Sequence, residues 1–445
     1  SGIGSRLGRL TDFTNKSLVR IGDKPAISHI IEYYPKETNF VITLGCFGDY
    51  VKQFLLLTYP NKNFEFVEVD NYHGPGSSLG YSILQSKNKL QCPFIFHASD
   101  TIISNSFTPY DSTFNFCVGA FKKDSSQYAT LLVNNNKITK INKKGEINFD
   151  YAYAGICGIK DYKLFWENLE QTYNSNPNNS SLFEGNIINK MLDFVDFKFL
   201  KTDKWFDMGN VTELKKTRKQ FSSNIEVLDK KNESIYLFDD FVVKFFTNAS
   251  ITKNRVNRAN LLKGLVPDMI NSSKNFYKYK KSKGILFSKS VNEKSFSRFL
   301  EWADENLWIS KQKSSFDSDC YSFYIEKSIK RIQSYLKHYS DPKYINGESV
   351  PTIDTLFKQI DIQNLCKGIP SQFHGDFILD NILETKNSFC LLDWRQDFAN
   401  NLEIGDIYYD LAKLNHNLTI NHNIVDRKLY NSSSNNCHIL CNSTL

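Results

Sequence analysis

Near the C-terminal end of the sequence, three polar side chains have the types and spacing for chemistry on phosphate. Asp376 and Asn381 share the segment HGDFILDN at residues 374–381, and Asp393 directly follows two leucines. An aspartate in such a loop can accept the proton of a hydroxyl group, while an asparagine and a second aspartate hold Mg²⁺ against the phosphates of ATP. An Asx turn or a strand end explains each residue singly, so the pattern favours phosphoryl transfer only through the three together.

A glycine-rich segment at the start of the printed sequence offers a second set of phosphate ligands. Gly2 and Gly4 precede Arg6, and Lys16 follows. Glycines allow backbone N–H groups to approach phosphate oxygens closely, and an arginine can contact a phosphate through two parallel hydrogen bonds. A plain tight turn is the alternative for this segment taken alone.

Small residues also fill the loop at 74–80, which precedes a predicted helix. Gly76, Ser77 and Gly80 are its candidates for nucleotide binding, because small side chains let the backbone approach a base and a ribose. Serines that cap the N-terminus of a helix explain the same pattern equally well. The loop therefore supports nucleotide binding only in combination with the first segment.

Two aspartates of the first half are candidate metal ligands. Asp100 follows the apolar run at 92–98, and Asp207 stands before a glycine in the segment WFDMGN at 205–210. Carboxylates are preferred ligands of Mg²⁺, which in nucleotide sites also binds phosphate oxygens. A lone aspartate close to a glycine is typical of a turn, so this interpretation requires that the two aspartates converge.

The elements that must position these residues differ between the two halves of the chain. In the first half, apolar runs predict strands at 40–44, 63–69 and 92–98, and helical periods predict helices at 50–57 and 75–85. This alternation of strands and helices predicts an α/β domain with a mostly parallel sheet. Ligands of such sheets bind at the carboxyl ends of the strands, where the glycine loops and Asp100 are expected.

In the second half, residues 235–237 and 241–246 flank two aspartates and predict a β-hairpin. Further strands are predicted at 276–279 and 284–288, followed by a helical region that begins at about residue 293. A small sheet followed by helices indicates an α+β domain. The polar stretch at 220–232 is the predicted boundary, giving domains at 1–222 and 223–445.

The motifs of the first half together resemble the sugar-1-phosphate nucleotidyltransferase family. They are GIGSRL at 2–7, Lys16, DKP at 23–25, the loop at 74–80, SD at 99–100 and WFDMGN at 205–210. The resemblance implies a Rossmann-like α/β fold in which Arg6 and Lys16 contact the phosphates of an NTP and Asp100 and Asp207 hold Mg²⁺. It also implies that Gly155 and Glu184 contact the sugar. The first strand of that fold has no counterpart here, so we expect the natural chain to begin before Ser1.

The second half resembles the aminoglycoside phosphotransferase and choline kinase family, which has a protein-kinase-like fold. The motifs are HGDxxxxN, LLDWR and the segment GDIYYDLA at 405–412. The resemblance implies that Asp376 is the catalytic base, that Asn381 and Asp393 are Mg²⁺ ligands, and that Lys244 contacts the ATP phosphates. A helix expected near 251–262 should supply an acidic partner for Lys244, but it contains Arg255 and Arg258 and no acidic residue.

Together the two resemblances predict a bifunctional enzyme. One half would phosphorylate a small alcohol or sugar with ATP, and the other would transfer a nucleotidyl group from CTP, UTP, dTTP or GTP to a phosphate monoester, giving an NDP-sugar or a CDP-alcohol for surface polysaccharides. A fusion of choline kinase and phosphocholine cytidylyltransferase types is one alternative. A nucleotide-sensing module with one silent half is another.

Composition adds bounds to this prediction. The 445 residues carry a net charge of +7, with lysines and arginines spread along the chain, so we expect no nucleic-acid partner. The nine cysteines form no CxxC pair and no apolar run approaches the length of a membrane span. These features predict a cytoplasmic protein without a membrane partner; an oligomer remains open.

Overall fold

The computed structural model describes residues 1–103, 113–221, 230–420, 429–433 and 436–439. By contact density the chain divides into two compact units. Unit 1 comprises Ser1–Asn248 and Ser272–Lys278, and unit 2 comprises Ala249–Asn271 and Tyr279–Leu445. The boundary predicted at 222–223 falls in 222–229, outside the described residues. No helix of the described residues is both long enough and apolar enough to cross a bilayer.

Unit 1 contains six α-helices among its described residues, together with short 3₁₀ helices at Ser5–Thr11, Lys16–Leu18 and Lys87–Lys89. The α-helices are α1 Ala26–Tyr33, α2 Gly48–Thr58, α3 Leu79–Leu84, α4 Tyr162–Ser175, α5 Glu184–Met191 and α6 Val211–Gln220. The strands are β1 Arg20–Ile21, β2 Lys24–Pro25, β3 Asn39–Leu44, β4 Asn63–Glu68, β5 Phe94–His97, β6 Thr101–Ile103, β7 Phe116–Ala120, β8 Thr130–Asn134, β9 Lys137–Asn142, β10 Tyr151–Ile159, β11 Lys198–Lys201, β12 Trp205–Asp207, β13 Glu233–Leu237 and β14 Phe241–Phe246. The predicted strands and helices of this half are therefore confirmed, with shifted ends.

The prediction of a mostly parallel sheet is wrong for the described residues of unit 1. The main sheet has six strands in the order β5-β10-β7-β11-β9-β8, and only β7 and β11 pair in parallel within it. A separate parallel pair is formed by β3 and β4. The alternation of strands and helices at 40–98 yields the parallel β3–β4 pair, but β5 pairs antiparallel with β10, which lies outside that alternation.

The β13–β14 hairpin belongs to unit 1, although the sequence placed it in the second domain. Its strands pair antiparallel, with Ile235 opposite Lys244, which confirms the predicted hairpin. Its buried side chains share a core with α1 and α2 that includes Phe54, Tyr236 and Phe245. The Tyr236 hydroxyl also donates to the carbonyl of Leu18 over 2.7 Å. This burial of aromatic area explains why the hairpin joins the first unit.

Unit 2 is mainly helical, and β15 Met269–Ser272 and β16 Phe276–Lys280 each lie partly in it. Its helices are α7 Ala249–Leu261, α8 Phe287–Ser290, α9 Glu293–Asn306, α10 Phe316–Tyr321, α11 Lys327–Leu336, α12 Ile353–Lys358, α13 Ile362–Leu365 and α14 Ile407–Thr419, with a π-helical turn at Ser322–Glu326 and a 3₁₀ turn at Leu379–Asn381. Its further strands are β17 Ile285–Leu286, β18 Tyr344–Ile345, β19 Glu348–Ser349, β20 Pro370–Ser371, β21 Ile382–Glu384, β22 Phe389–Leu391, β23 Gly405–Asp406, β24 Tyr430–Ser432 and β25 Asn436–Ile439. The predicted helical region after residue 293 is confirmed, whereas a kinase-like fold stays a prediction.

Candidate functional site

A cavity of about 1760 Å³ in unit 1 brings together most of the candidate residues of the first half. Its volume exceeds that of an ordinary ligand pocket, because it continues between β3 and β5, which in the described residues pair only with β4 and β10 respectively. The candidate residues that line it are Gly2, Arg6, Lys16, Ser77, Asp100, Gly155, Glu184 and Asp207.

The first glycine segment forms a turn that presents Arg6 to this cavity. Gly4 has φ of 70°, a left-handed conformation that favours glycine. Its carbonyl accepts hydrogen bonds from the N–H of Leu7 over 2.9 Å and from the hydroxyl of Thr11 over 3.0 Å. A side chain at Gly4 would press on Thr11 and Lys16. Gly4 thus permits the turn, and the exposed Arg6 extends from it.

Asp100 and Asp207 converge because their strands pair. Asp100 lies between β5 and β6, and β6 pairs antiparallel with β12 so that Thr101 stands opposite Asp207. The N–H of Met208 donates to the carbonyl of Asp100 over 3.0 Å. The two carboxylates therefore face the same cavity from adjacent positions of one ladder, as the sequence required.

The two carboxylates lie in different electrostatic surroundings. Lys16 Nζ lies 2.9 Å from Asp100 Oδ2, and its charge holds the pKa of Asp100 below the usual range. Burial instead raises the pKa of Asp207, whose Oδ1 accepts the N–H of Gly209 over 2.8 Å. Asp100 is thus kept ionised beside a cation, while Asp207 would gain from a further positive charge.

The donor set of this cavity fits Mg²⁺. Mg²⁺ in nucleotide sites takes one or two protein carboxylates and completes its shell with water and phosphate oxygens. Among the described residues, no group of three or more His, Cys, Asp or Glu side chains could hold a metal by itself. A magnesium ion here would consequently depend on oxygens of the nucleotide as well as on Asp100 and Asp207.

Gly155 and Glu184 line another part of the cavity. Gly155 interrupts β10 with φ of 74°, and its carbonyl accepts the N–H of Ala98 over 3.0 Å. Glu184 is the first residue of α5 and is only 2% exposed. Burial raises the pKa of Glu184 to about 7, so about half of these carboxyl groups are protonated at neutral pH, and the protonated form can donate a hydrogen bond to a substrate oxygen.

We expect Glu184→Gln to remove a dependence of stability on pH. The raised pKa stabilises the folded wild type fully below about 4.5, and this contribution is lost as pH rises through about 7. Hydrogen exchange of peptides that cover α5 should accelerate over this interval in the wild type more than in the variant. Parallel pH profiles for the two proteins would contradict the assignment.

Lys144 is a cavity residue that sequence reasoning missed. It lies between β9 and β10, lines the cavity, and burial lowers its pKa, with smaller effects from Arg6, Asp100 and Asp207. Its ammonium group therefore interacts electrostatically with the predicted phosphate and metal ligands. The sequence signal is poor, because Lys144 belongs to an unremarkable run of lysines at 140–144.

The second small-residue loop is only partly at the cavity. Ser77 lines it, and the N–H and hydroxyl of Ser77 both donate to the carbonyl of Gly74. A side chain at Gly80 would collide with Leu182, and Gly76 faces Asn71 and the carbonyl of Pro177. The structure gives Gly80 a packing role, and nucleotide binding by Gly76 and Gly80 stays a prediction.

In unit 2, the structure brings Asp376 and Asn381 into direct contact. Asn381 Nδ2 donates to Asp376 Oδ2 over 3.1 Å and to the Asp376 carbonyl over 2.9 Å. The Asn381 carbonyl accepts the N–H of Leu392 over 2.7 Å, which links the loop to the residue before Asp393. Lys413 Nζ lies 2.8 Å from Asp376 Oδ1. The three candidate residues therefore lie on two loops that are hydrogen-bonded to each other.

Asp393 is held by the helix that the sequence singled out for its arginines. Asp393 has φ of 54°, and its carboxylate forms an ion pair with Arg255 of α7. The indole N–H of Trp394 donates to the Arg255 carbonyl over 2.8 Å. Arg255 thus neutralises a predicted metal ligand from α7. An Asp, Asn and Asp set also fits Mg²⁺ when phosphate oxygens complete its shell.

Asp410 of α14 holds the loop that carries Asp376 through hydrogen bonds to its backbone. The carboxylate of this fully buried residue accepts the N–H groups of His374 and Gly375, each over 2.7 Å. Burial raises the pKa of Asp410 to about 6 and lowers that of His374 to about 4. His374 is consequently neutral at pH 7, and its Nε2 contacts the Leu392 carbonyl over 2.8 Å.

Arg258 of α7 connects both loops through backbone carbonyls. Its guanidinium donates to carbonyls of Leu402 over 2.8 Å and His374 over 3.2 Å, and also to those of Phe373 and Arg395. Arg258 is 1% exposed, and burial lowers its pKa to about 9. The side chain is thus a buried cation that satisfies four carbonyls at once.

We expect Arg258→Met to destabilise unit 2 by roughly 3–5 kcal/mol, because buried carbonyls would lose a charged donor. Arg258→Lys should rescue little of this loss, since an ammonium cannot reproduce the fork of a guanidinium. Urea denaturation should show a clear fall in the midpoint. Arg298→Met is the matched control, because Arg298 is 61% exposed at its side chain and should cost less than about 1 kcal/mol. Equal losses of stability in Arg258→Met and Arg298→Met would contradict the stabilisation of the loops by Arg258.

Lys244 lies in β14 of unit 1, whereas Asp376, Asn381 and Asp393 lie in unit 2. It is 6% exposed, so it is a buried side chain in a hairpin. Contact of Lys244 with ATP phosphates stays a prediction.

No protein-family model matches the chain, and no curated protein matches it. Solved structures align with about half of the chain, the N-terminal half. CTP:phosphocholine cytidylyltransferase from Streptococcus pneumoniae is 18% identical over 50% of this chain and 96% of that chain, with a TM-score of 0.42. A putative glucose-1-phosphate thymidylyltransferase from Bacillus anthracis is 21% identical over 52% and 95%, with a TM-score of 0.44. Inositol-1-phosphate CTP transferase from T. maritima is 16% identical over 50% and 94%, with a TM-score of 0.40. Likenesses of this strength assign no substrate.

Proposed function

We propose that unit 1 transfers a nucleotidyl group from an NTP to a phosphate monoester. The observation that carries this proposal is the convergence of Asp100 and Asp207 on one cavity with Arg6 and Lys16. Two carboxylates and two cations in one cavity suit a nucleoside triphosphate and its magnesium ion. Gly155 and Glu184 line the same cavity, where a second substrate would bind.

The reaction requires positioning and charge stabilisation from this chain. An oxygen of the phosphate monoester attacks the α-phosphorus of the NTP in line, and pyrophosphate leaves. Arg6 and Lys16 bind the phosphates of the NTP, and Glu184 orients the monoester through a hydrogen bond. Asp100 and Asp207 would hold Mg²⁺, which would neutralise charge on the phosphate oxygens.

For unit 2 we propose an ATP-dependent phosphotransferase. The supporting observation is a pair of hydrogen-bonded loops, in which Asn381 contacts Asp376 and its carbonyl accepts the N–H of Leu392, the residue before Asp393. Asp376 would take the proton of an alcohol, and Asn381 and Asp393 would hold Mg²⁺. Arg255, which pairs with Asp393 in this structure, would then exchange its partner for a phosphate.

The two activities suggest consecutive steps, since a kinase makes the phosphate monoesters that a nucleotidyltransferase uses. The product would be an NDP-sugar or a CDP-alcohol for surface polysaccharides. The alternatives are a fusion of choline kinase and phosphocholine cytidylyltransferase types, and a nucleotide sensor in which one unit is silent.

A substrate panel distinguishes these proposals. The full chain is incubated with Mg²⁺, ATP and candidate alcohols, and separately with each NTP and candidate phosphate esters, while ADP and pyrophosphate are measured. Release of both products supports bifunctionality, and choline as the preferred alcohol with CTP supports the first alternative. Tight NTP binding by a unit that releases no product supports the nucleotide sensor. Absence of pyrophosphate with every ester contradicts the function proposed for unit 1.

A further inference from the structure

We propose that the alcohol phosphorylated in unit 2 carries an anionic group, a phosphate or a carboxylate, which binds to Lys327 and Arg395 beside Asp376. This inference rests on the phosphotransferase function proposed above and adds the chemical class of its acceptor. It depends on a group of cationic side chains that the phosphotransfer chemistry itself does not use.

The two cations lie on one buried aromatic ring. Lys327, the first residue of α11, places its Nζ 3.5 Å from the centroid of the Phe323 ring, and the Cζ of Arg395 lies 5.0 Å from the same centroid. Phe323 is 4% exposed, so its position is fixed by packing. A cation–π contact holds each cation in place but does not neutralise its charge.

Arg395 lies beside the loop that carries the predicted catalytic base. Arg395 lies against Gly375, where an added Cβ would come within 2.5 Å of the Arg395 Cβ, and its N–H donates to the His374 carbonyl over 3.0 Å. Asp376 follows directly and pairs with Lys413. The side chains of Asp376 and Lys413 are 36% and 33% exposed, so a ligand can reach this place from solvent.

The local charge is unbalanced. Burial and, to a smaller extent, the neighbouring cations Arg395 and Arg331 together lower the pKa of Lys327 to about 7. Lys413 acts in the same direction, whereas Asp397 opposes it. Three cations thus act on Lys327, namely Arg331, Arg395 and Lys413, against the carboxylate of Asp397, and Lys413 itself pairs with Asp376. Crowding of like charges is unfavourable, and a bound anion would relieve it.

A cationic acceptor fits this place poorly. Recognition of a quaternary ammonium requires open aromatic faces, but Lys327 lies over Phe323 and Phe398 stacks on Phe323 with centroids 4.1 Å apart. Lys327 also lies 5.8 Å from the centroid of the Tyr409 ring. An ammonium substrate would meet like charges and rings that are already in contact with a lysine, whereas a phosphate or carboxylate would meet two donors.

The transfer step balances with this acceptor. The hydroxyl oxygen of the anionic alcohol forms a bond to the γ-phosphorus of ATP, and the bond from that phosphorus to the bridging oxygen breaks. The proton of the hydroxyl passes to Asp376, and ADP leaves with the electron pair of the broken bond. Lys327 and Arg395 bind the anionic end throughout and take no part in bond making.

Site-specific labelling tests the anion site without any need for turnover. The full chain is acetylated with acetic anhydride at constant ionic strength, and the modification of Lys327 is quantified by peptide mass spectrometry. Inorganic phosphate, glycerol 3-phosphate and glycerate should each slow acetylation of Lys327 roughly fivefold or more when they saturate the site, whereas glycerol and choline should not. Lys330, an exposed lysine of the same helix, is the control and should be unaffected. Absence of protection by every anion, equal effects at both lysines, or a Lys327 that never reacts would overturn the proposal.

Steady-state kinetics separate this proposal from the function on which it rests. With matched alcohols, ADP release should favour glycerol 3-phosphate or glycerate over glycerol and choline, and Lys327→Met should raise KM for the anionic alcohol roughly tenfold with a smaller change in kcat. Lys330→Met should leave both constants unchanged. Protection of Lys327 without ADP release from any alcohol would refute the phosphotransferase and retain the anion site. ADP release with choline or glycerol and no protection would refute the anion site alone.

Discussion

Replacing Asp100 with asparagine is expected to lower pyrophosphate release by about 100- to 1000-fold, the usual cost of removing one preorganised charge-stabilising group. Asparagine keeps the shape of the side chain, so the β6–β12 ladder should survive. It lacks the negative charge that pairs with Lys16 over 2.9 Å and that would bind Mg²⁺. The loss should therefore appear in kcat rather than in folding, and ADP release from ATP and an alcohol should be unchanged.

The matched control is Asp203→Asn, because Asp203 is 73% exposed at its side chain and lies in the same unit. Binding of Mn²⁺ together with an NTP, measured by electron paramagnetic resonance, should weaken in Asp100→Asn and remain normal in the control. If Asp100→Asn kept full pyrophosphate release, the cavity would lose its candidate metal ligand and the function proposed for unit 1 would fail.

Local patterns in the sequence predicted the elements but not the way they pair. The run at 92–98 predicted β5 because a short apolar run of this length is typical of a strand in a core. Whether such a strand runs parallel to its neighbour depends on partners far away in the chain. β10 pairs with β5, β7 and β8, all antiparallel, and no feature of its own segment encodes those directions. The hairpin was likewise predicted correctly, whereas its packing against α1 and α2 depends on contacts of long sequence separation.

For the candidate sites, too, the sequence showed the local motifs but not the contacts between residues far apart in the chain. Asp100 and Asp207 could be predicted as metal ligands because each stands in a short motif, and a single register, Thr101 opposite Asp207, brings them together. Lys144 has no motif and reaches the cavity only through the path of the β9–β10 connection. In the sequence, the expected helix contained Arg255 where an acidic partner for Lys244 was sought. The structure shows Arg255 paired with Asp393. A departure from a pattern thus indicated a real contact without revealing its partner.

In unit 2, Asp376→Asn is expected to reduce ADP release by about 100- to 10,000-fold, the range supplied by a positioned general base. The amide cannot accept the proton of the alcohol, and it also loses the ion pair with Lys413 over 2.8 Å. Because Asn381 can still contact an amide oxygen at this position, the loop should keep its shape, and thermal unfolding should change little. Pyrophosphate release by unit 1 should be unaffected.

Asp304→Asn provides the matched control, since Asp304 is an exposed aspartate of α9 in the same unit. A decisive result is a double dissociation: Asp376→Asn loses ADP release alone, and Asp100→Asn loses pyrophosphate release alone. Each carboxylate would then serve one reaction, because the chemistry of phosphate transfer requires a charge at the reacting atoms. Loss of both products in either variant would contradict the assignment of one carboxylate to each reaction, and unchanged ADP release in Asp376→Asn would remove the base on which the phosphotransferase proposal depends.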